Sequence, residues 1–125
     1  MPSIKLVTEN EASGRVKEIY EDIKATMGWS FVPETFQMIA HDPSHLDSYW
    51  ANYKLIMTPG RLDLKTKKLI AYLVSVMNNC GVWVRFHLDA VKHLGMDDAT
   101  LTEAVEVMTE VTKGNLIMHS IGGRH

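Results

Sequence analysis

The segment "TKKLIAYLVSVMNNCGVWVRFHLDAVKHLG", residues 66–95, decides the fold prediction. Its part "LIAYLVSVM" is apolar almost all round a helix, a pattern typical of a helix that is buried on most sides. After Asn78 and Asn79, a second helix carries one stripe of residues at helical spacing, formed by Cys80, Trp83, Val84, His87, Leu88 and Val91. Two helices joined so closely predict an antiparallel helical hairpin at the core of the fold.

Three helices are expected before this hairpin. Apolar residues recur at helical spacing from Ala12 to Met27, where Ser13 is a plausible N-cap. A short helical segment, "ETFQMIAH", follows Pro33. Asp42 is expected to cap the third helix, with Pro43 at its first position.

The chain after the hairpin predicts two more helices. Asp97 or Asp98 is expected to cap the first of them. Its inward face would carry Leu101, Ala104, Val105, Met108 and Val111. A last short helix is expected over "NLIMHSI", residues 115–121. Because no segment alternates apolar and polar residues for long, we predict an all-α bundle that forms one domain over residues 1–125.

Charge and composition argue against several classes of partner. Thirteen Lys and Arg residues stand against fifteen Asp and Glu residues, so there is no basic field to hold nucleic acid or an anionic membrane surface. No run approaches the roughly 18 apolar residues of a membrane span, and the N-terminus turns polar too early for a signal peptide. A single cysteine also suits a reducing compartment. We therefore expect a cytoplasmic protein that binds neither nucleic acid nor membrane.

Metal and cofactor motifs are weak in this sequence. His41 and His45 are four residues apart but straddle Asp42 and Pro43, which makes them a poor metal pair. The sequence contains no glycine-rich phosphate loop and no dinucleotide fingerprint. We expect neither a metal nor another cofactor.

Three segments carry a family resemblance that covers nearly the whole chain. They are "IKLVTENEASGRVKEIYEDIKATMG", "VPETFQMIAHDPSHLDSYWANYKLIM" and "LDLKTKKLIAYLVSVMNNCGVWVRFHLDAVKHLGMDDATLTEAVEVM". They resemble the AhpD-like (alkylhydroperoxidase D-like) branch of the carboxymuconolactone decarboxylase superfamily. The resemblance implies an all-helical protein that assembles as trimers or hexamers. In the redox branch it also implies peroxide reduction by a Cys-x-x-Cys pair, a histidine four residues later and a glutamate one helix earlier.

The functional positions of that branch are only partly kept. Cys80 matches the first cysteine of the motif, and His87 matches the histidine. The second cysteine, which attacks the peroxide in the family, is Trp83 here, and the glutamate position falls at Lys68. The resemblance therefore implies a peroxidase with an incomplete motif.

If the chain reduces peroxides, the resemblance makes Cys80 the redox thiol and His87 the proton donor or acceptor. Cys80 is predicted near a helix N-terminus, where backbone amides favour a thiolate. Residues 80 and 87 lie roughly 10 Å apart along a helix, so a direct proton transfer needs an intermediary. Trp83 and Tyr72 are candidate pocket walls. The oxidised sulfur would need an external thiol reductant.

Two alternatives stay open. The stretch "RFH", with Arg85 and His87, resembles an Arg-x-His stretch of the decarboxylase branch. In that lyase or isomerase, His87 would be the general acid or base and Arg85 would hold a substrate carboxylate. The other alternative is a non-catalytic helical oligomer that binds a small ligand, in which Cys80, Trp83 and His87 are packing residues.

Position 83 also has a genetic interpretation. The tryptophan codon is one base from the cysteine codons and one base from UGA, which can specify selenocysteine. We therefore keep the hypothesis that a UGA codon underlies Trp83. A UGG codon in the native gene would exclude it.

A homo-oligomer is expected from the sequence as well as from the resemblance. The chain has more large apolar side chains than one small core can bury. They include Tyr49, Trp50, Tyr53 and Trp83 and the residues of the nearly all-apolar helix.

Overall fold

The structure, a computed structural model, describes residues 2–123. These residues form helices and no strands, which confirms the all-α prediction for this part of the chain. The helices are α1 (Gly14–Met27), α2 (Glu34–Ile39), α3 (Pro43–Met57), α4 (Leu64–Met77), α5 (Gly81–His93) and α6 (Asp98–Ile121).

The chain divides into two compact units, one ending at Thr58 and the other beginning at Pro59. A compact unit does not by itself show whether it folds independently. The single-domain expectation for residues 1–125 therefore stays a prediction.

The first unit has a core centred on Phe36, whose side chain is fully buried. The Phe36 ring meets the rings of Tyr49, Trp50 and Tyr53 edge-on, with centroid distances of 5.7, 5.9 and 5.4 Å. These edge-on contacts bring the positive edge of one ring to the negative face of another. The buried core of this unit consists of Val16, Ile19, Tyr20, Ile23, Val32, Phe36, Ala40, Leu46 and Trp50.

Helix starts follow the local sequence closely. The Asp42 carboxylate accepts a hydrogen bond from the His45 amide at 3.1 Å, with Pro43 as the first helical residue, as predicted. Asp side chains cap α4 and α6 in the same way, since Asp63 accepts from Thr66 and Asp97 accepts from Thr100, both at 2.8 Å. Ser13 is the N-cap of α1, but its side chain makes no capping bond.

The second unit contains the predicted hairpin, in which α4 packs along α5. Asn79 adopts a left-handed backbone with φ of 57°. Asn tolerates this conformation better than most residues, so it suits the tight turn between the helices. The Cys80 amide then donates to the Ser75 carbonyl at 3.0 Å. The antiparallel helical hairpin is confirmed.

The predicted burial of α4 on most sides is wrong for this chain. Lys68 is the one buried residue of the helix. Ile70, Val74 and Met77 expose about half of their surface, at 47%, 51% and 54%. An apolar pattern indicates that a surface avoids water, but it does not say whether the same chain provides the cover.

The prediction for the C-terminal segment is also wrong in part. No separate helix forms over residues 115–121, because α6 continues without a break from Asp98 to Ile121. Gly114 costs a helix only about 1 kcal/mol, which is not enough to end it here. Leu101 is buried as predicted, but Val111 is 57% exposed rather than inward-facing.

One argument for self-association fails as well. Tyr49, Trp50 and Tyr53 pack into or against the core of the first unit of their own chain. The large exposed apolar side chains of the second unit lie instead mainly on α4 and α6.

Candidate functional site

Cys80 is the N-cap residue of α5 and is half-buried. Its carbonyl accepts from the Val84 amide at 2.9 Å, which begins the helix. The first amides of any α-helix have no acceptor within the helix, and they favour a negative charge placed beside them. The structure thus confirms that Cys80 lies at a helix N-terminus.

His87 lies two turns further along α5 and is only 5% exposed. Its Nδ1 atom is buried and has no hydrogen-bond partner among residues 2–123. Burial, together with the nearby charge of Lys68, lowers the pKa of His87 to about 4. The imidazole is therefore neutral at neutral pH, and it can accept a proton or donate a hydrogen bond according to its tautomer.

Lys68 reaches the same place from α4 and is only 4% exposed. Desolvation lowers the pKa of its ammonium group. The hairpin brings this side chain close enough for its charge to act on His87. Position 68, where the family resemblance implies a glutamate, thus carries the cationic Lys68, whose charge disfavours protonation of His87.

Trp83 covers the His87 ring from one turn earlier on the same helix. The two rings are stacked, with centroids 5.1 Å apart and planes 23° from parallel. This contact follows from the four-residue spacing, which places side chains one above the other on a helix. Trp83 thus provides one wall around His87.

Phe86 was missed by the sequence analysis. Its ring lies 5.3 Å from that of Trp83 and 6.1 Å from that of His87, edge-on to both. The three-residue spacing from Trp83 was the signal that could have identified it.

The other predicted site residues are placed less favourably. Arg85 is exposed, and a separation of two residues puts it roughly 200° around the helix from His87. Tyr72 is half-buried one turn after Lys68. Cys80 and His87 remain roughly 10 Å apart along the helix axis. The structure brings Lys68, Trp83 and His87 together, and it does not join Cys80 or Arg85 to them directly.

Residues 2–123 contain neither a cluster of metal ligands nor a helix that could span a membrane. No group of three His, Cys, Asp or Glu side chains is placed so that it could hold a metal ion. None of the helices in this range combines the length and the apolar character that crossing a membrane requires.

The carboxymuconolactone decarboxylase family model matches residues 43–122, which is more than half of the chain and includes the whole hairpin. The chain belongs to this family. A solved structure of the alkylhydroperoxidase AhpD core from Rhodospirillum rubrum superposes on it with a TM-score of 0.86 and 27% sequence identity. That match covers 100% of this chain and 94% of the other. The AhpD-like fold within the carboxymuconolactone decarboxylase family is therefore confirmed.

Two curated relatives of this carboxymuconolactone decarboxylase family protein have different names. An (R)-2-haloacid dehalogenase from Pseudomonas putida is 28% identical over 109 residues, which cover 83% of this chain. The match covers only 35% of the dehalogenase, so the chain spans about a third of that protein's length. An uncharacterized protein 4 in the cox locus of Paracoccus denitrificans is 28% identical over 74 residues, covering 59% of this chain and 67% of that protein.

Proposed function

We propose that this AhpD-like member of the carboxymuconolactone decarboxylase family reduces peroxides with Cys80 as the redox thiol. The observation that carries the proposal is the position of Cys80, which is half-buried at the N-terminus of α5 in a fold that matches the AhpD core along the whole chain. We further propose that the protein is cytoplasmic and works as a homo-oligomer, either a trimer or a hexamer.

The chemistry needs one thiolate and one external reductant. The Cys80 thiolate attacks one oxygen of the peroxide, the O–O bond breaks, and the leaving alkoxide or hydroxide takes a proton from water. Cys80 becomes a sulfenic acid, which is two electrons more oxidised than the thiol. Two molecules of a small thiol then return Cys80 to the thiol, forming one disulfide and one water.

His87 does not serve as a direct proton relay in this mechanism. It lies roughly 10 Å from Cys80 along the helix, and the ring of Trp83 stacks on it. Trp83 with Tyr72 would form pocket walls.

The test is reaction with hydrogen peroxide followed by intact mass. We expect the protein to gain one oxygen atom that dithiothreitol removes, and we expect Cys80→Ser to lose this reversible gain. The variant is essential because eight methionines can also gain oxygen, and their sulfoxides are not reduced by dithiothreitol. A Cys80 that stays reduced while free cysteine in the same tube is oxidised would refute the proposal.

A second candidate function rests on His87. The His87 imidazole is neutral at neutral pH and has an unpartnered Nδ1, so it is in the form that can accept a proton, as a cysteine-independent lyase or isomerase of the carboxymuconolactone decarboxylase type requires. Turnover of an unsaturated lactone acid that persists in Cys80→Ser and is lost in His87→Gln would favour it. Silence in both assays would leave the third candidate, a non-catalytic oligomer that binds a small ligand.

A further inference from the structure

The hairpin of the second unit carries two nearly inaccessible polar side chains, one on each helix, and they lie close enough to interact electrostatically. Lys68 is 4% exposed on α4, and His87 is 5% exposed on α5. The charge of Lys68 disfavours protonation of His87, and the Nδ1 atom of His87 is buried with no hydrogen-bond partner among residues 2–123. A buried polar atom without a partner costs free energy, so its presence needs an explanation.

We propose that Lys68 and His87 together bind the carboxylate group of a small organic acid. This binding goes beyond peroxide reduction and does not depend on Cys80. The two oxygens of a carboxylate accept one hydrogen bond from the Lys68 ammonium and one from His87 in the tautomer with its proton on Nδ1. The second bond gives the buried Nδ1 atom of His87 a partner.

The charge of the pair decides the ligand class. A metal cation is disfavoured because Lys68 is itself cationic, whereas an anion offsets the desolvation of the ammonium. A neutral imidazole adds a hydrogen bond without adding a second buried charge. A charge-assisted pair of hydrogen bonds of this kind is stronger than two neutral ones.

The aromatic rings next to His87 indicate the chemical character of the rest of the ligand. Trp83 stacks on His87, and Phe86 lies edge-on to both rings. These side chains present apolar surface beside the polar pair, so the acid should carry a short aliphatic chain. Trp83 is half-buried and its ring stacks on that of His87, so we expect it to shift when the ligand binds.

The first test is calorimetric titration of the full chain with propanoate and butanoate at pH 7, beside the matched neutral amides. We expect saturable binding of the acids in roughly the millimolar range, as a ligand of about five non-hydrogen atoms allows, and weaker binding of the amides. No saturation up to about 50 mM, or equal binding of acid and amide, would overturn the proposal.

Two variants with the same change of charge on the same helix locate the site. Lys68→Met should weaken binding of the acids by about tenfold or more, because it removes a hydrogen bond to a charged group. Lys65→Met, at an exposed position, should leave affinity within about twofold. Equal losses in the two variants would mean that general charge, and not this pair, attracts the acid.

A measurement on the wild-type protein tests the proposal even if Lys68→Met does not fold. Proton NMR follows the His87 ring signals with pH in the absence and presence of saturating butanoate. A carboxylate beside the ring favours its protonated form, so the pKa of His87 should move upward from about 4. An unchanged titration would contradict the proposal. Repeating the titration in Cys80→Ser separates this result from the fate of the peroxidase proposal.

Discussion

At the scale of single residues, His87 should make the fold sensitive to acid. Its pKa lies near 4 in the folded protein, whereas the ordinary value is 6.5. Between these two values the unfolded chain binds the proton more readily than the folded chain does. The free energy of unfolding should therefore hold above pH 6.5, fall as the pH drops from 6.5 to 4, and lose at most about 3 kcal/mol from this group.

Urea unfolding at pH 7 and pH 5 measures this effect. Wild-type protein should lose more stability between the two pH values than His87→Gln does, because the amide does not titrate. The matched control is His45→Gln, at an exposed position on α3, which should keep the wild-type pH dependence. If His87→Gln loses as much stability as the wild type over this range, His87 is not the group responsible.

The sequence allowed prediction only of those site contacts that lie within a single helix. The shared stripe of Trp83 and His87 is a matter of spacing along α5, and their rings do stack. The proximity of Lys68 to His87 depends on how α4 and α5 pack, and the lowered pKa of His87 depends on the resulting burial and on the charge of Lys68. Spacing along one helix carries neither piece of information, which is why the electrostatics of the site emerge only from the fold.

At the scale of helices, the cap of α3 should contribute more to stability than the cap of α1. The Asp42 side chain accepts a hydrogen bond from the first turn of α3, whereas Ser13 makes none to α1. We expect Asp42→Ala to lower the free energy of unfolding by about 1 kcal/mol in urea titrations at pH 7. Ser13→Ala should cost clearly less. Equal losses would mean that the capping bond contributes nothing of its own.

The residues at which helices start were predictable from the sequence, whereas the length of α6 and the exposure of α4 were not. The caps at Asp42 and Asp63 are local features, fixed by a carboxylate and an amide three residues apart. The helix α6 continues through Gly114 and Asn115, a pair that local sequence rules associate with a helix end, because the cost of one glycine is only about 1 kcal/mol. The exposure of α4 depends on which other helices of the chain pack against it, and the apolar pattern of one helix does not reveal that.

At the scale of the whole molecule, the second unit has little apolar core of its own. Among its described residues, Val91 and Leu101 are the only buried apolar ones, and the other two buried residues are the polar Lys68 and His87. A large exposed apolar surface on a globular protein marks an interaction site. We propose that a second copy of the chain covers part of this surface.

The apolar face of α6 allows this proposal to be tested. Val107, Val111, Met118 and Ile121 share one side of the helix, with spacings of four, seven and three residues, and are each more than half exposed. Size exclusion with light scattering should give wild-type protein a mass several times that of one chain at about 10 μM. Val111→Glu places a charge within this face and should shift the protein towards the monomer, because burying an unpaired charge is costly.

Thr109→Glu is the matched control, since it adds the same charge to α6 at an exposed position roughly 160° around the helix from Val111. It should leave the assembly intact, while circular dichroism checks that both variants keep their helices. A monomeric wild type would argue against self-association altogether. Dissociation of both variants would mean that added negative charge, and not the apolar face of α6, controls the assembly. An intact assembly in Val111→Glu would mean that the interface lies on the exposed apolar residues of α4 and not on α6.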